Sequence, residues 1–557
     1  MVNKALRMKF VLLFSVVALL GGSVPVFAQQ GAEQQAIPDG VQVQFNSSFV
    51  GVPVVETFLM SDTPQELTRE QKALMEKGLN RSNLTGPRLP KMDAGAAADA
   101  PLLGTESNMG SRASTPGSAL LFRYSNMSAI PPAGFASEIM ETSHGQGGKN
   151  IFYTGNWFAA RSINGGATWG YLNPFSDYPK FCCDQVALYD PARNMMIWYR
   201  QEIASATGEN TLRVSVSNDG GATWASYTIG PKNVNSAWTG QWFDYPHLQI
   251  AGDYLYIATN VFNASNSWTR TVMLRWPLDA LKARAGFGYN YFETSSWFTF
   301  VPVAGADHVM YFASNWPNVE PFNRIAIWKW AENSTSITQV VKSVAAWSTT
   351  SRGQVICGAN DSGNWLARTD QRLLSGAVYR YQGSNLQYFG RNVIGFWWNV
   401  KQGGNFPRPY IDGAAFFESD LTQVAGLQGR PYMYNSTDCF AYPSFAPNDR
   451  GDLGFVTNWA TSGSGYKPAV IYGIADDYAL TPPGFAIRGL NTSSWRPAQP
   501  RFGDYNTVRA FEPGGSVWTG SAHIIGTNAL GGRLNTPLYF VFGRERDYMN
   551  WANWYLK

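Results

Sequence analysis

The chain has 557 residues with a formal net charge of only +4, and it carries no long run of Lys or Arg. This charge pattern argues against nucleic acid as a partner. Aromatic residues reach 15% of the chain and charged residues also 15%, and there are 55 glycines. Strands favour aromatic residues and tight turns need glycine, so the composition predicts an all-β fold.

Residues 1–28 have the pattern of a signal peptide. Lys4, Arg7 and Lys9 precede the apolar run Phe10–Leu20, and small residues end the segment at Ala28. The run is too short for a comfortable membrane span, although an uncleaved anchor is the alternative. We therefore expect a secreted or periplasmic protein with no membrane span after cleavage.

Residues 29–118 form an N-terminal extension and linker that includes a segment rich in Ala, Gly, Ser and Pro towards its end. Such a composition predicts a mostly disordered segment. One short helix is expected within it, with Thr63 as N-cap, Pro64 at the first helical position and Gly78 near the end.

Residues 119–557 contain a repeat of short apolar runs, several of which end in Asn, as in "NIFYTGNW", "VMYFASNW" and "DLGFVTNW". The repeats fall near positions 156, 200, 260, 315, 399, 458 and 520. A spacing of about 40 to 60 residues between short strands is typical of propeller blades. We predict a β-propeller of seven four-stranded blades, with six or eight as alternatives. An insertion at Cys357–Gln371 would account for the longest interval.

The stretch "SVSNDGGATWASY" interrupts this pattern with a turn sequence. It resembles the Asp-box, or BNR repeat, of sialidase-like propellers. The matching residues are Ser217, Asp219, Gly221, Thr223 and Trp224, and a second copy has Ser162, Asn164, Gly166, Thr168 and Trp169, with Asn in place of Asp. The resemblance implies a sialidase-like propeller in which this motif is structural and lies far from the active site.

Four aspartates precede or begin the predicted innermost strands of different blades: Asp184, Asp244, Asp370 and Asp504. Equivalent positions of radially repeated blades face one axis, so these carboxylates are expected to point towards one end of the central channel. Clustered carboxylates raise one another's pKa, which suits acid–base catalysis, and they also leave a calcium ion possible. The alternative is that each Asp caps its strand by accepting backbone N–H groups.

Further candidates surround these positions. Tyr245 and Tyr505 are candidate catalytic groups, and the candidate substrate-binding residues are His247, Arg352, Arg368, Arg372 and Arg501. Sugar hydrolysis uses two carboxylates, or a Tyr nucleophile with an acid and an Arg cluster, whereas a lyase would use Tyr or His as base. The Arg-Ile-Pro motif of sialidases is absent from the sequence, which argues against true sialidase activity.

The four cysteines are Cys182, Cys183, Cys357 and Cys439. In an oxidising compartment the two adjacent cysteines can pair with each other, leaving Cys357 for Cys439, although other pairings are open. No His lies at ligand spacing from them, so no metal site is predicted at the cysteines.

Two function classes follow from this sequence. The first is a secreted glycoside hydrolase or polysaccharide lyase that acts on an acidic or complex polysaccharide at the channel mouth. The second is a non-catalytic propeller that binds glycans or proteins, as in adhesion.

Overall fold

The computed structural model describes residues 41–64, 66–79, 120–126, 139–317, 323–345, 357, 364–367, 369–382, 385–403, 405–478, 485–498 and 501–555. The predicted signal peptide, most of the predicted linker, Arg352 and Arg368 lie outside these residues.

The described residues of the N-terminal part form four strands and one helix: β1 (Val41–Gln44), β2 (Asn46–Val50), β3 (Val54–Thr57), α1 (Arg69–Leu79) and β4 (Leu120–Asn126). The strands that follow are β5 (Ser143–Gly147), β6 (Asn150–Thr154), β7 (Ala159–Ser162), β8 (Gly170–Leu172), β9 (Phe181–Asp190), β10 (Met195–Glu202), β11 (Leu212–Ser217), β12 (Thr223–Ile229), β13 (Gln241–Ala251), β14 (Tyr254–Asn263), β15 (Trp268–Pro277), β16 (Phe287–Thr294), β17 (Val301–Pro302), β18 (Val309–Ser314), β19 (Arg324–Ala331), β20 (Ser336–Ser343), β21 (Leu373–Arg380), β22 (Asn392–Val400), β23 (Tyr410–Phe417), β24 (Cys439–Pro447), β25 (Leu453–Ala460), β26 (Ala469–Ala475), β27 (Ala486–Thr492), β28 (Thr507–Ala510), β29 (Trp518–Thr527) and β30 (Arg533–Arg544).

These strands form seven antiparallel sheets, the blades of a β-propeller. Blades 1 to 4 are β5–β8, β9–β12, β13–β16 and β17–β20, blade 5 is β21–β23, blade 6 is β24–β27, and blade 7 is β28–β30 with β4. Each of the seven repeat points falls in or beside the second strand of a blade. The prediction of a seven-bladed β-propeller is confirmed.

Not every blade has four strands. The extension adds β3 to blade 2, β2 to blade 3 and β1 to blade 4 as outermost fifth strands, whereas blade 5 has three strands among the described residues. Blade 7 takes its outermost strand, β4, from the N-terminal side of the propeller, which closes the ring. The extension therefore contributes more than the single helix that the sequence predicted.

The helix of the extension begins later than predicted. Thr63 and Pro64 precede it, and Thr68 caps it instead: the Thr68 hydroxyl accepts the Gln71 backbone N–H at 3.2 Å, and the Gln71 side chain accepts the Thr68 N–H at 2.8 Å. This reciprocal pair satisfies two backbone donors at once, which explains why it determines the start of the helix. Three short helices outside the blades were not predicted: α2 (Pro231–Val234), α3 (Leu278–Lys282) and α4 (Tyr548–Tyr555).

The core lies between neighbouring blades and is largely aromatic. Trp397 of blade 5 stacks on Phe445 of blade 6 with ring centroids 3.9 Å apart. Trp198 and Trp224 of blade 2 are fully buried against Phe152 of blade 1. Large flat side chains fill the wedge between twisted sheets, so the high aromatic content is explained mainly by this packing.

The Asp-box-like sequence forms the β11–β12 turn. Asp219 accepts the Thr223 N–H at 2.9 Å and its hydroxyl at 2.7 Å, and the Ser217 hydroxyl accepts the Gly221 N–H at 2.8 Å. Gly221 has a φ of 90°, a value that favours glycine. Because β9 begins at the channel mouth and the strands alternate in direction, this turn lies at the opposite end of the blade. The second copy repeats the bonding, with Asn164 accepting the Thr168 N–H at 2.9 Å.

Candidate functional site

The four predicted aspartates converge on one mouth of the central channel. Asp184 is the fourth residue of β9 and Asp244 the fourth of β13, while Asp370 and Asp504 each lie three residues before an inner strand. Asp184 interacts electrostatically with both Asp244 and Asp504. Tyr245 interacts with Asp370 and Asp504, so all four carboxylates share one region.

Irregular backbone shapes this mouth. Cys183, Tyr245, Thr299 and Tyr442 have φ values of 82°, 62°, 61° and 58°. The first, second and fourth lie within the opening residues of an inner strand, and Thr299 lies two residues before one. The strand register also shifts beside Tyr245 and beside Tyr442. Residues with positive φ and β-bulges change the direction of the neighbouring side chains, and both are common at functional sites.

The repeated Asn residues hold neighbouring blades together at this end. Asn399 of blade 5 accepts the N–H of Tyr442 in blade 6 at 2.8 Å, and Asn315 of blade 4 accepts the N–H of Leu373 in blade 5 at 2.8 Å. Asn260 of blade 3 accepts the N–H of Thr299 at 3.1 Å. These bonds fix the starts of the inner strands, from which the candidate site residues project.

Glu141 is a site residue that no sequence motif predicts. Its side chain is 1% exposed, and Asn156 both donates to its carboxylate at 2.8 Å and accepts its backbone N–H at 2.6 Å. Its carboxyl group hydrogen-bonds to that of Asp184. Glu141 precedes the inner strand of blade 1 by two residues, much as Asp504 precedes that of blade 7. That position was the one signal that could have found it.

Two arginines neutralise part of this acidic cluster. Arg501 donates to Glu141 at 2.9 Å and to Asp504 at 2.6 Å from the same nitrogen, so it holds these two carboxylates within a few ångströms of each other. Arg372 forms a close ion pair with Asp370, with one Nε–Oδ2 distance of 2.7 Å, and its guanidinium lies 4.2 Å from the centre of the Tyr245 ring. Asp370 also accepts the Arg372 backbone N–H at 3.1 Å, as the strand-cap alternative requires.

Burial and like charge favour the neutral forms of two carboxyl groups. Burial, and then the charges of Glu141 and Asp244, raise the pKa of Asp184 well above its usual value. Burial, and then the charge of Asp504, raise the pKa of Glu141 to about 7, although Arg501 opposes the shift. A hydrogen bond between two carboxyl groups needs one proton, so the pair stores a proton at neutral pH.

The candidate tyrosines stay protonated. Burial is the main cause that raises the pKa of Tyr245 and of Tyr505 well above the usual value, and for Tyr505 the nearby carboxylates add to it. Burial and then Arg372 lower the pKa of His247 to about 3, so this imidazole is neutral. These groups are therefore placed to donate or accept hydrogen bonds rather than to carry charge.

Both predicted disulfides are formed. Cys182 pairs with Cys183 immediately before Asp184, and Cys357 pairs with Cys439 at the start of β24. The second bond ties the insertion between blades 4 and 5 to blade 6. Trp365 of this insertion is fully buried against Tyr442 and Phe502, beside the mouth.

Within the described residues, no group of three or more His, Cys, Asp or Glu side chains is arranged to hold a metal ion. The calcium ion that the sequence left possible therefore has no candidate ligand set in this part of the chain. Nor does any described helix have the length and apolar character needed to cross a membrane.

Known proteins resemble this chain in structure only. No protein-family model and no curated protein matches it. An α-L-arabinofuranosidase of Fusarium graminearum, solved with an iminosugar inhibitor, is 10% identical over 75% of this chain and 96% of its own, with a TM-score of 0.32. A Penicillium chrysogenum α-L-arabinanase complexed with arabinobiose is 10% identical over 75% and 98%, with a TM-score of 0.36. The NanB sialidase of Streptococcus pneumoniae is 9% identical over 58% and 65%, with a TM-score of 0.37.

Proposed function

We propose that the protein is a secreted glycoside hydrolase that cleaves a complex glycan at the acidic channel mouth. The observation that carries the proposal is the hydrogen-bonded pair of Glu141 and Asp184, which keeps a proton at neutral pH beside a third carboxylate, Asp504, held by Arg501. Hydrolysis of a glycosidic bond needs a carboxylic acid on one side of the bond and a carboxylate on the other.

The roles follow from the environment of each carboxyl group. Asp184 donates its proton to the glycosidic oxygen as the C–O bond breaks, and the bonding electron pair stays on that oxygen. Asp504, whose side chain is 28% exposed, faces the mouth and acts as the second carboxylate. It removes a proton from the water that adds to the sugar carbon. Glu141 positions Asp184 and shares its proton.

The charge of the mouth favours a neutral glycan over an acidic one. Five carboxyl groups face only two guanidinium groups among the described residues, and both arginines contact aspartates. A lyase or a sialidase must bind a substrate carboxylate, for which arginine is the usual partner. The protonated tyrosines also argue against a lyase that uses a phenolate as its base.

A glycan screen tests this proposal. Purified protein would be incubated with arabinan, xylan and galactan as neutral glycans, and with polygalacturonate and sialyllactose as acidic ones. Reducing ends report hydrolysis and absorbance at 235 nm reports lyase products. We expect hydrolysis of a neutral glycan, which Asp184→Asn lowers about 100-fold or more because the acid is lost.

Asp219→Asn is the matched control, since it changes the same residue type in the same blade but at the opposite end. It should lose stability and keep its turnover rate. Binding without turnover for every glycan would favour the adhesion alternative, and products absorbing at 235 nm would favour a lyase.

A further inference from the structure

A cavity lies along the propeller axis among the inner strands. Residues from all seven inner strands or the turns that lead into them line it, and Tyr505 and His247 are among them. Tyr505 also interacts electrostatically with Asp184, Glu141 and Asp504. This tyrosine therefore connects the cavity with the acidic mouth.

Most polar groups of the cavity wall bond to the protein itself. The Ser143 hydroxyl accepts the backbone N–H of Ala187 in the next blade at 3.0 Å. The Ser375 and Ser444 hydroxyls accept N–H groups of the following blades at 2.9 and 3.0 Å. Arg509 donates to two backbone carbonyl groups at 2.8 and 2.9 Å. These hydrogen bonds join neighbouring blades, so the buried polar groups that form them need no further partner.

Tyr505 and His247 are different. Tyr505 Oη and His247 Nε2 are both buried, and neither has a hydrogen-bond partner among the protein atoms that the structure describes. A buried polar atom without a partner destabilises the fold, so such atoms in native proteins usually bind water or a ligand. Two such atoms on residues that line one polar cavity therefore point to a bound group that can bond to both.

We propose that the cavity is a hydroxyl-binding subsite in which Tyr505 Oη and His247 Nε2 hold one hydroxyl group. In the resting protein this group belongs to a water molecule, and a sugar hydroxyl replaces it when a glycan occupies the mouth. A hydroxyl both donates and accepts, so it can pair with a phenol and a neutral imidazole at once. The sugar-bound half of the proposal rests on the proposed function.

The resting state is tested without any substrate. A crystal structure at a resolution that shows ordered water should have density within hydrogen-bond distance of both Tyr505 Oη and His247 Nε2. Tyr505→Phe should remove this density and lower the Tm by roughly 1–3 °C, because the bond to water is lost. A dry cavity, or a Tyr505→Phe variant as stable as the wild type or more so, would overturn the proposal.

The sugar-bound state is tested with the neutral glycan that the wild type cleaves fastest. Tyr505→Phe should raise KM about fivefold or more with a smaller change in kcat, because a ground-state contact is lost. Tyr153→Phe is the control, since Tyr153 is a fully buried phenol that already donates to the Ala522 carbonyl at 3.1 Å. It should lower the Tm and leave KM unchanged.

The outcomes separate the two proposals. If the wild type cleaves no glycan, the proposed function fails, and the density and the Tm of Tyr505→Phe still decide the subsite. If the wild type cleaves a glycan and Tyr505→Phe leaves KM unchanged, the subsite fails while the proposed function stands.

Discussion

At the scale of single residues, the carboxyl groups at the mouth are buried close to one another, and this determines their protonation. Glu141 has its pKa raised to about 7, chiefly by burial. A carboxyl group whose pKa is higher in the folded state stabilises the fold below its unfolded pKa of about 4.5, and this contribution is lost as pH rises through about 7. The wild type should therefore lose stability between about pH 5 and pH 8.

Glu141→Gln removes this dependence. Between pH 5 and pH 8 the free energy of unfolding should fall by about 2–3 kcal/mol less in the variant than in the wild type. Urea denaturation at the two pH values measures this difference. Wild-type turnover should fall above about pH 7 as the shared proton is lost, and Glu141→Gln should move that limit.

Glu56→Gln is the matched control, because burial also raises the pKa of Glu56 to about 7 but the residue lies in β3, on the outer edge of blade 2. Its stability profile should change while its activity profile stays in place. Equal shifts of the activity profile in both variants would show that Glu141 has no special role.

The sequence predicted those site residues that occupy a repeated position in the blades. Asp184, Asp244, Asp370 and Asp504 occupy comparable places in their blades, and the structure brings them together. Glu141 escaped notice because the inner strand of blade 1, "SHGQG", resembles none of the other inner strands. The roles of Tyr245, Tyr505 and His247 remain predictions, and their unusual protonation depends on burial that no local pattern reveals.

At the scale of single elements, the repeated Asn is a connection between blades. The sequence showed the recurrence but not its purpose, because the backbone partners of Asn260, Asn315 and Asn399 lie about 40 residues or more away in the chain. Asn399 and Tyr442 illustrate this, since the amide of one blade orders the bulge of the next. The start of α1 was misplaced for the opposite reason: two local capping signals competed, and only the Thr68–Gln71 pair is reciprocal.

Asn399→Ala tests the connection. The substitution leaves the buried N–H of Tyr442 without its acceptor, so we expect a loss of about 1–3 kcal/mol in the free energy of unfolding, measured by urea denaturation. Asn385→Ala provides the comparison, because Asn385 is exposed and its side chain caps a turn. This variant should change stability by less than about 0.5 kcal/mol. Similar values for the two variants would mean that the inter-blade bond contributes little.

At the scale of the whole molecule, the extension forms a belt along the outer edges of four consecutive blades. We define this belt as β1, β2, β3 and Ser61, which pair in turn with blades 4, 3, 2 and 1. The helix α1 follows and packs on blade 2, where the Leu74 carbonyl oxygen lies 3.7 Å from Cys182 Sγ. The belt covers edges that would otherwise present unpaired N–H and C=O groups.

A propeller could be predicted from the repeat because each blade carries its own strands and turns. The belt could not be predicted in the same way. Its strands are only four or five residues long, and their partners lie more than 150 residues away in the chain. A short edge strand forms because it pairs with the blade edge, so its own sequence shows little alternation of apolar and polar residues.

Val50 tests how firmly the belt is held. Its side chain is 4% exposed and packs in the core between blades 2 and 3, next to Phe287, whereas Val52, two residues on, is 79% exposed. Val50→Asp buries a charge in that core and should lower the free energy of unfolding by about 3 kcal/mol or more, measured by urea denaturation. In limited proteolysis, the chain should be cut between residues 41 and 60 before the propeller is cut. Val52→Asp makes the same chemical change at an exposed position and should leave both measurements as in the wild type. The propeller blades keep their own strands in either variant, so turnover at low temperature should persist. If Val50→Asp unfolds the whole chain in one transition, without an earlier cut in the belt, then the belt is an integral part of the propeller core rather than a separately released edge.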